Sequence, residues 1–127
     1  MRLFSLVSAL MFVAGAAAAD CTKTLRSLQG TELAARMCAA ENTMPFDIRE
    51  RWINKRFVAF AEKPRFDGDT KVQRAGILDP SGQPFASASA AQSAVQWLGK
   101  TARCKTADVA LRPGGVTTLR LICPVSN

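Results

Sequence analysis

The sequence predicts an α+β fold: a small antiparallel sheet of three to five strands ending in a C-terminal hairpin, two to three helices on one face, and disulfide support. Three observations carry that prediction. Two alternating runs, Ala107 to Arg112 and Val116 to Cys123, flank Pro113-Gly114-Gly115, where Pro suits the first loop position and Gly a positive φ. Apolar residues recur at helical spacing in 31–40 and 89–98. The four cysteines, Cys21, Cys38, Cys104 and Cys123, form an even set in a chain that opens like an exported protein.

The opening is Arg2, then an apolar run from Leu3 to Ala14, then Gly15 and small residues to Ala19. A short basic end, a hydrophobic stretch and a small-residue cut site are what a signal peptidase reads, so residues 1–19 are expected to be a cleaved signal peptide and 20–127 a single secreted domain. A membrane anchor needs about 20 apolar residues, and this segment is too short and too rich in alanine for one. Loss of the leader leaves 108 residues with sixteen basic and ten acidic side chains, a formal charge of +6. That is enough chain for one core, and disulfides help so small a domain persist outside the cell.

In Thr31 to about Ala40, Leu33, Met37 and Ala40 recur at i, i+4 and i+7, with Glu32, Arg36 and Glu41 on other faces, which predicts a helix. Pro45 disfavours its continuation. Asp47-Ile48-Arg49-Glu50 reads as a second, short helix capped by Asp47, with Glu50 reaching back and Ile48, Trp52 and Ile53 buried. Arg56 to Glu62 is apolar on both faces, as a central strand is. The cluster Phe66-Asp67-Gly68-Asp69-Thr70 predicts a turn, and Val72 to Leu78 a second strand with Gly76 as a bulge. Asp79-Pro80-Ser81-Gly82 fits a turn with Pro at its second position, leading into a loop or edge at 83–85. Ser89 and Gln92 form a capping box for a helix with Ala91, Ala94, Val95 and Leu98 on its inner face and Trp97 in the core, stopping at Gly99.

In the last hairpin, pairing Arg112 with Val116 sets Leu111 against Thr117, Val109 against Leu119 and Ala107 against Leu121. The inner face is then Ala107, Val109, Leu111, Leu119 and Leu121. That register puts Lys105 opposite Cys123 and Cys104 nearby. Local pairing, Cys21 with Cys38 and Cys104 with Cys123, is therefore preferred among the three connectivities, with Cys21 to Cys123 as the rival.

The absence of His and Tyr removes histidine bases, Ser-His-Asp and Cys-His nucleophiles and two-histidine metal sites. The cysteines lack the Cys-x-x-Cys spacing of zinc sites, so no metal or cofactor is expected. Paired carboxylates are the remaining catalytic option. Asp47 and Glu50 are read as caps, Asp67, Asp69 and Asp79 as turn formers, and Glu32, Glu41 and Asp108 as solvated faces. Glu62 alone is read as a partly buried acid, with no evident partner. Asp67-Gly68-Asp69-Thr70 is too short for an EF-hand loop.

Charge and aromatics concentrate in one stretch. Arg49, Arg51, Lys55, Arg56, Lys63 and Arg65 interleave with Trp52, Phe57, Phe60 and Phe66. Such a basic face suits an anionic partner, whether acidic protein, polysaccharide or membrane surface. The alternative is that the aromatics are core and the charges only solubilise. Export argues against nucleic acid. In size, export signal, charge and paired cysteines the chain resembles the small cationic proteins that plant-associated fungi secrete as effectors or toxins. The resemblance implies a monomeric extracellular virulence protein that binds a host or competitor macromolecule without catalysis. A Gram-negative periplasmic binding or inhibitor protein is the alternative expectation, and a carboxylate-dependent hydrolase the lower one.

Overall fold

The structure is a computed structural model that describes Cys21, Leu25, Arg26 and residues 30–125. The expected leader at 1–19 lies outside the described residues. The chain divides into two compact units with the boundary between Thr43 and Met44.

In the first unit, helix α1 spans Thr31–Glu41. Glu32 accepts a hydrogen bond from Arg36 one turn on, at 2.5 Å. Its buried stripe is Ala34, Met37, Cys38 and Glu41, an i, i+3, i+4, i+7 set, with Ala40 beside it. The stripe is thus centred one residue away from the expected Leu33. Glu41, read from sequence as solvated, is only 5% exposed. The helix ends at Asn42, whose amide donates to the Cys38 carbonyl, and the Thr43 hydroxyl bonds the Ala40 carbonyl at 2.7 Å. Cys21 is bridged to Cys38.

The second unit is a six-stranded antiparallel sheet crossed by one helix: β1 Ile48–Ile53, β2 Val58–Glu62, β3 Arg65–Asp67, β4 Thr70–Leu78, α2 Ala88–Ala102, β5 Lys105–Ala110 and β6 Thr117–Pro124. The strand order is β1-β2-β4-β6-β5, with β3 beside β4. The sheet therefore has more strands than the three to five expected.

The largest difference from expectation is β1, read as a short helix from its Asp47 and Glu50 signals. Residues 48–53 alternate instead. Glu50 and Trp52 pair with Ala61 and Ala59, while Arg51 and Ile53 pair with Phe60 and Val58. The helix signals lose because the following residues close a tight turn: the Asn54 carboxamide oxygen accepts from the amides of Arg56 (2.8 Å) and Phe57 (3.0 Å), folding β1 back on β2.

β2 is interior and buried along its whole length, as its two-sided apolar pattern requires. β2 and β3 are successive segments along one edge of β4, interrupted at Lys63 and Pro64. Pro64 has no amide to donate, so the ladder breaks there. The buried Gln73 fills the gap, its Nε2 donating to the Glu62 carbonyl at 2.8 Å and to Glu50 Oε1 at 3.1 Å. Gly76 makes no bulge. It pairs in register with Phe60 and Thr118, and a Cβ there would stand 2.5 Å from the Phe60 ring, so glycine is required by that close approach.

Asp79 to Gly82 form the expected turn. Gly82 N donates to Asp79 O, and the Asp79 carboxylate accepts from both the amide and hydroxyl of Ser81 and from Gln83 N. α2 starts two residues before the capping box suggested: Ser87 is the N-cap and accepts from Ala90 N at 3.1 Å. It runs past Gly99 to a left-handed cap at Arg103, where Cys104 N donates to Gly99 O at 2.9 Å. Gly99 instead lets the helix end approach β5, since a Cβ would lie 3.1 Å from Cys104 O and Thr106 Cγ2. Ala91, Ala94, Val95 and Leu98 bury against Phe57, Ala59, Ala61, Ala75, Ile77, Leu119 and Leu121 in one core.

β5 pairs antiparallel with β6. Ala110 opposite Thr118 follows the expected register, but Ala107 lies opposite Arg120, one residue out of step. A bulge intervenes, with Asp108 at φ 51. The extra residue lets Thr106 on one side and Val109 and Leu111 on the other share the inner face, and moves Ala107 off it. Lys105 consequently faces Ile122, and Cys104 comes directly opposite Cys123 with their Cα atoms 4.3 Å apart and the thiols bridged. Both disulfides have the local connectivity.

Candidate anion-binding surface

The six cations singled out in the sequence do not form one cluster. Lys55 and Arg56 lie in the β1–β2 turn, while Lys63 follows the far end of β2 and Arg65 opens β3. Five strand residues separate the two ends, roughly 15 Å. Arg49 sits at the bulge in β1 near the Lys63 end, and Arg51 occupies the sheet face that carries Phe60. Arg49, Lys55, Arg56, Lys63 and Arg65 are exposed, and Arg51 is half-buried. Of the interleaved aromatics, Phe57 and Phe60 are fully buried and Trp52 packs partly on the core. Phe66 is 67% exposed.

Arg56 has an engagement that sequence spacing does not show. Its guanidinium lies 3.7 Å from the Trp97 ring centroid, and the Lys100 ammonium is 4.9 Å from the same ring. Trp97, expected in the core, is half-buried, its ring joining a β-turn cation to a helix cation. From there positive charge continues along the end of α2. A groove of about 610 Å³ is lined by Gln96, Lys100, Arg103, Lys105, Thr106 and Pro124 together with Gly99 and Cys104. It holds three cations and no carboxylate. The sequence signal was available as three cations within residues 100–105.

Most carboxylates are held internally. Glu62 is the clearest case: Arg74 grips it with Nη2 on Oε1 at 2.9 Å and Nε on Oε2 at 3.0 Å, and the Arg74 amide adds a bond at 2.8 Å. The hydrogen bond from Arg74, outweighing burial, holds the Glu62 carboxyl below the usual carboxylate range. The partner missed in the sequence is thus its cross-strand neighbour on β4. Arg74 also lies over the Phe46 ring at 5.1 Å. Burial pushes the Asp79 carboxyl up, but the bonds from Ser81, Gln83 and Gly82 together leave it lowered. Asp108 pairs with Arg120, Glu32 with Arg36, and Glu50 accepts from Gln73. Asp47, Asp67 and Asp69 are exposed.

Among the described residues no group of three or more His, Cys, Asp or Glu is placed to hold a metal ion, and no helix is long and apolar enough to cross a membrane. No protein-family model, curated protein or solved structure matches this chain.

Proposed function

We propose that this is a small secreted, disulfide-bonded interaction protein, effector- or toxin-like, that binds an anionic macromolecule of a host or competitor by surface contact and not by catalysis. The observation that carries the reading is an asymmetry of charge. Glu32, Glu50, Glu62, Asp79 and Asp108 are engaged by groups of the chain itself, whereas Arg49, Lys55, Lys63 and Arg65 are exposed and make no ion pair among the described residues. Asp47, Asp67 and Asp69 are exposed as well, but the formal charge of +7 leaves positive charge in excess at the surface. The leader pattern at 1–19 and two disulfides support an oxidising compartment, extracellular or, in a bacterium, periplasmic.

The test is titration of the purified mature protein with poly-glutamate, dextran sulfate and phosphatidylglycerol vesicles at low salt. Reversal of Arg49, Lys55, Lys63 and Arg65 to Glu is expected to weaken capture of the preferred polyanion by about tenfold or more. Unchanged capture would reduce these residues to a solubilising surface.

A further inference from the structure

We infer that the groove at the C-terminal end of α2, with the apolar side chains beyond it, is a docking site for an extended acidic peptide segment that also carries apolar residues. The inference rests on the anionic-partner reading above and adds the partner's class and place of contact. It starts from the sheet register. Phe66 pairs with Lys71 and Lys71 with Cys123, and directly paired residues share a face. Cys104 continues the row through its bridge to Cys123. This row, about 14 Å long at three strand spacings, lies on the face that α2 covers elsewhere.

The row ends in apolar exposure. Phe66 at 67% and Val125 at 49% are the large hydrophobic side chains left exposed among the described residues. The Val125 amide donates to the Asp69 carbonyl at 2.9 Å, which pins it to the β3–β4 turn. The other end of the row enters the groove lined by Lys100, Arg103 and Lys105. Lys71 stands between, half-buried. Two exposed apolar groups at one end of the row and three cations at the other, with Lys71 between, ask for a ligand with apolar and negative groups up to about 14 Å apart.

An extended peptide with an acidic run followed, about four residues on, by an apolar residue on the same face supplies both at that separation. An acidic polysaccharide supplies the charge without the apolar side chains. Asp67 and Asp69 lie beside Phe66 at the hairpin tip, so the partner's negative groups belong at the groove end and its apolar group at the Phe66 end, a polarity that a uniformly anionic bilayer lacks. An acidic peptide in the groove also relieves a local excess of positive charge, since no carboxylate lines it.

The test measures binding of the full mature protein to a labelled peptide in which a run of Glu is followed by Leu residues, to an all-Glu peptide of equal charge, and to phosphatidylglycerol vesicles. Three variants are compared, each checked for folding by circular dichroism: Lys100→Gln with Arg103→Asn and Lys105→Gln, where Asn tolerates the left-handed backbone at position 103; Arg49→Gln with Lys55→Gln and Lys63→Gln, which removes the same charge elsewhere; and Phe66→Ser. The wild type is expected to prefer the mixed peptide. The groove variant is expected to lose about tenfold in affinity for it, and Phe66→Ser to erase the preference over all-Glu. The variant at 49, 55 and 63 is expected to weaken both peptides alike and keep the preference. Equal losses from the two triple variants, or tighter binding of vesicles than of the mixed peptide, would overturn the inference and leave the anionic-partner reading standing. Failure of every anionic probe to bind the wild type at low salt would overturn both.

Discussion

At the scale of single residues, the decisive chemistry lies around the break at Pro64. Pro64 interrupts the edge that β2 and β3 present to β4, and Gln73, Arg74 and Glu62 repair it with side-chain bonds in place of a ladder bond. Glu62→Gln keeps the volume but removes the charge that Arg74 grips. Charge-assisted bonds of this kind contribute about 1.5–3 kcal/mol, and Arg74 is half exposed, so the expected loss is about 1–2 kcal/mol, read from urea midpoints at neutral pH. The pH dependence follows from the sign of the shift. The folded pKa of Glu62 is lowered, so its contribution is fully present above the unfolded value of about 4.3 and is lost as pH falls through the folded value. Wild-type stability should drop on acidification below about pH 4, with a smaller drop in Glu62→Gln. An equal drop in the two proteins would show that the pair is not what titrates. Gly76→Ala places a Cβ against the Phe60 ring and is expected to cost about 1–3 kcal/mol, part of which Phe60→Leu should restore in the double variant. The two-sided burial of β2 was legible from Phe57-Val58-Ala59-Phe60-Ala61. The Glu62 partner was not, because cross-strand register decides it and single-chain patterning does not specify which residue of β4 lies opposite.

At the scale of elements, local signals worked where one period dominates and failed where two compete. The stretch 31–40 has one helical period and folds as a helix, with its stripe centred on Ala34 and Met37 and Leu33 half-buried at the margin. In 48–53 the capping residues Asp47 and Glu50 favour a helix while the β-branched and aromatic Ile48, Trp52 and Ile53 suit a strand. Pairing with the buried β2 settles the contest, since an isolated short helix gains little. The start of α2 offers a clean discrimination. Ser87→Ala is expected to destabilise by about 1 kcal/mol, and Ser89→Ala, inside the helix, to change stability by no more than a few tenths, about the size of a propensity difference. The reverse ranking in thermal melts would return the cap to Ser89. The outer strands β1 and β5 carry irregularities, between Ile48 and Glu50 and between Ala107 and Ala110, and the third free edge, β3, is only three residues long. Bulges twist an edge away from further pairing. The protein is therefore expected to elute as a monomer by size exclusion with light scattering, and a concentration-dependent dimer would show that an edge pairs after all.

At the scale of the whole molecule, each compact unit holds its own disulfide, Cys21 to Cys38 before the boundary and Cys104 to Cys123 after it. The second bridge ties the exit of α2 to the last strand, closing a separation of 19 residues. Chain entropy for a loop of that size corresponds to about 3 kcal/mol, the loss expected for the Cys104→Ala, Cys123→Ala double variant in denaturant melts. The local pairing was readable from the hairpin pattern, but its tightness depends on the bulge at Asp108, which shifts Cys104 into line with Cys123 and has no sequence signal beyond a polar residue in a strand. Cationic character was equally plain, whereas its distribution was not: the stretch from Arg49 to Arg65 divides between two ends of β2, and Arg56 joins Lys100 across Trp97 from a helix forty residues away. The central claim is that this outward charge recruits an anionic partner. Its most direct measurement is the salt dependence of binding between the mature protein and a polyanion of the preferred class. The account predicts that log Kd rises steeply and linearly with log salt, with a shallower slope when Arg49, Lys55, Lys63 and Arg65 are neutralised; affinity that does not change with salt, or a slope untouched by those substitutions, would contradict it.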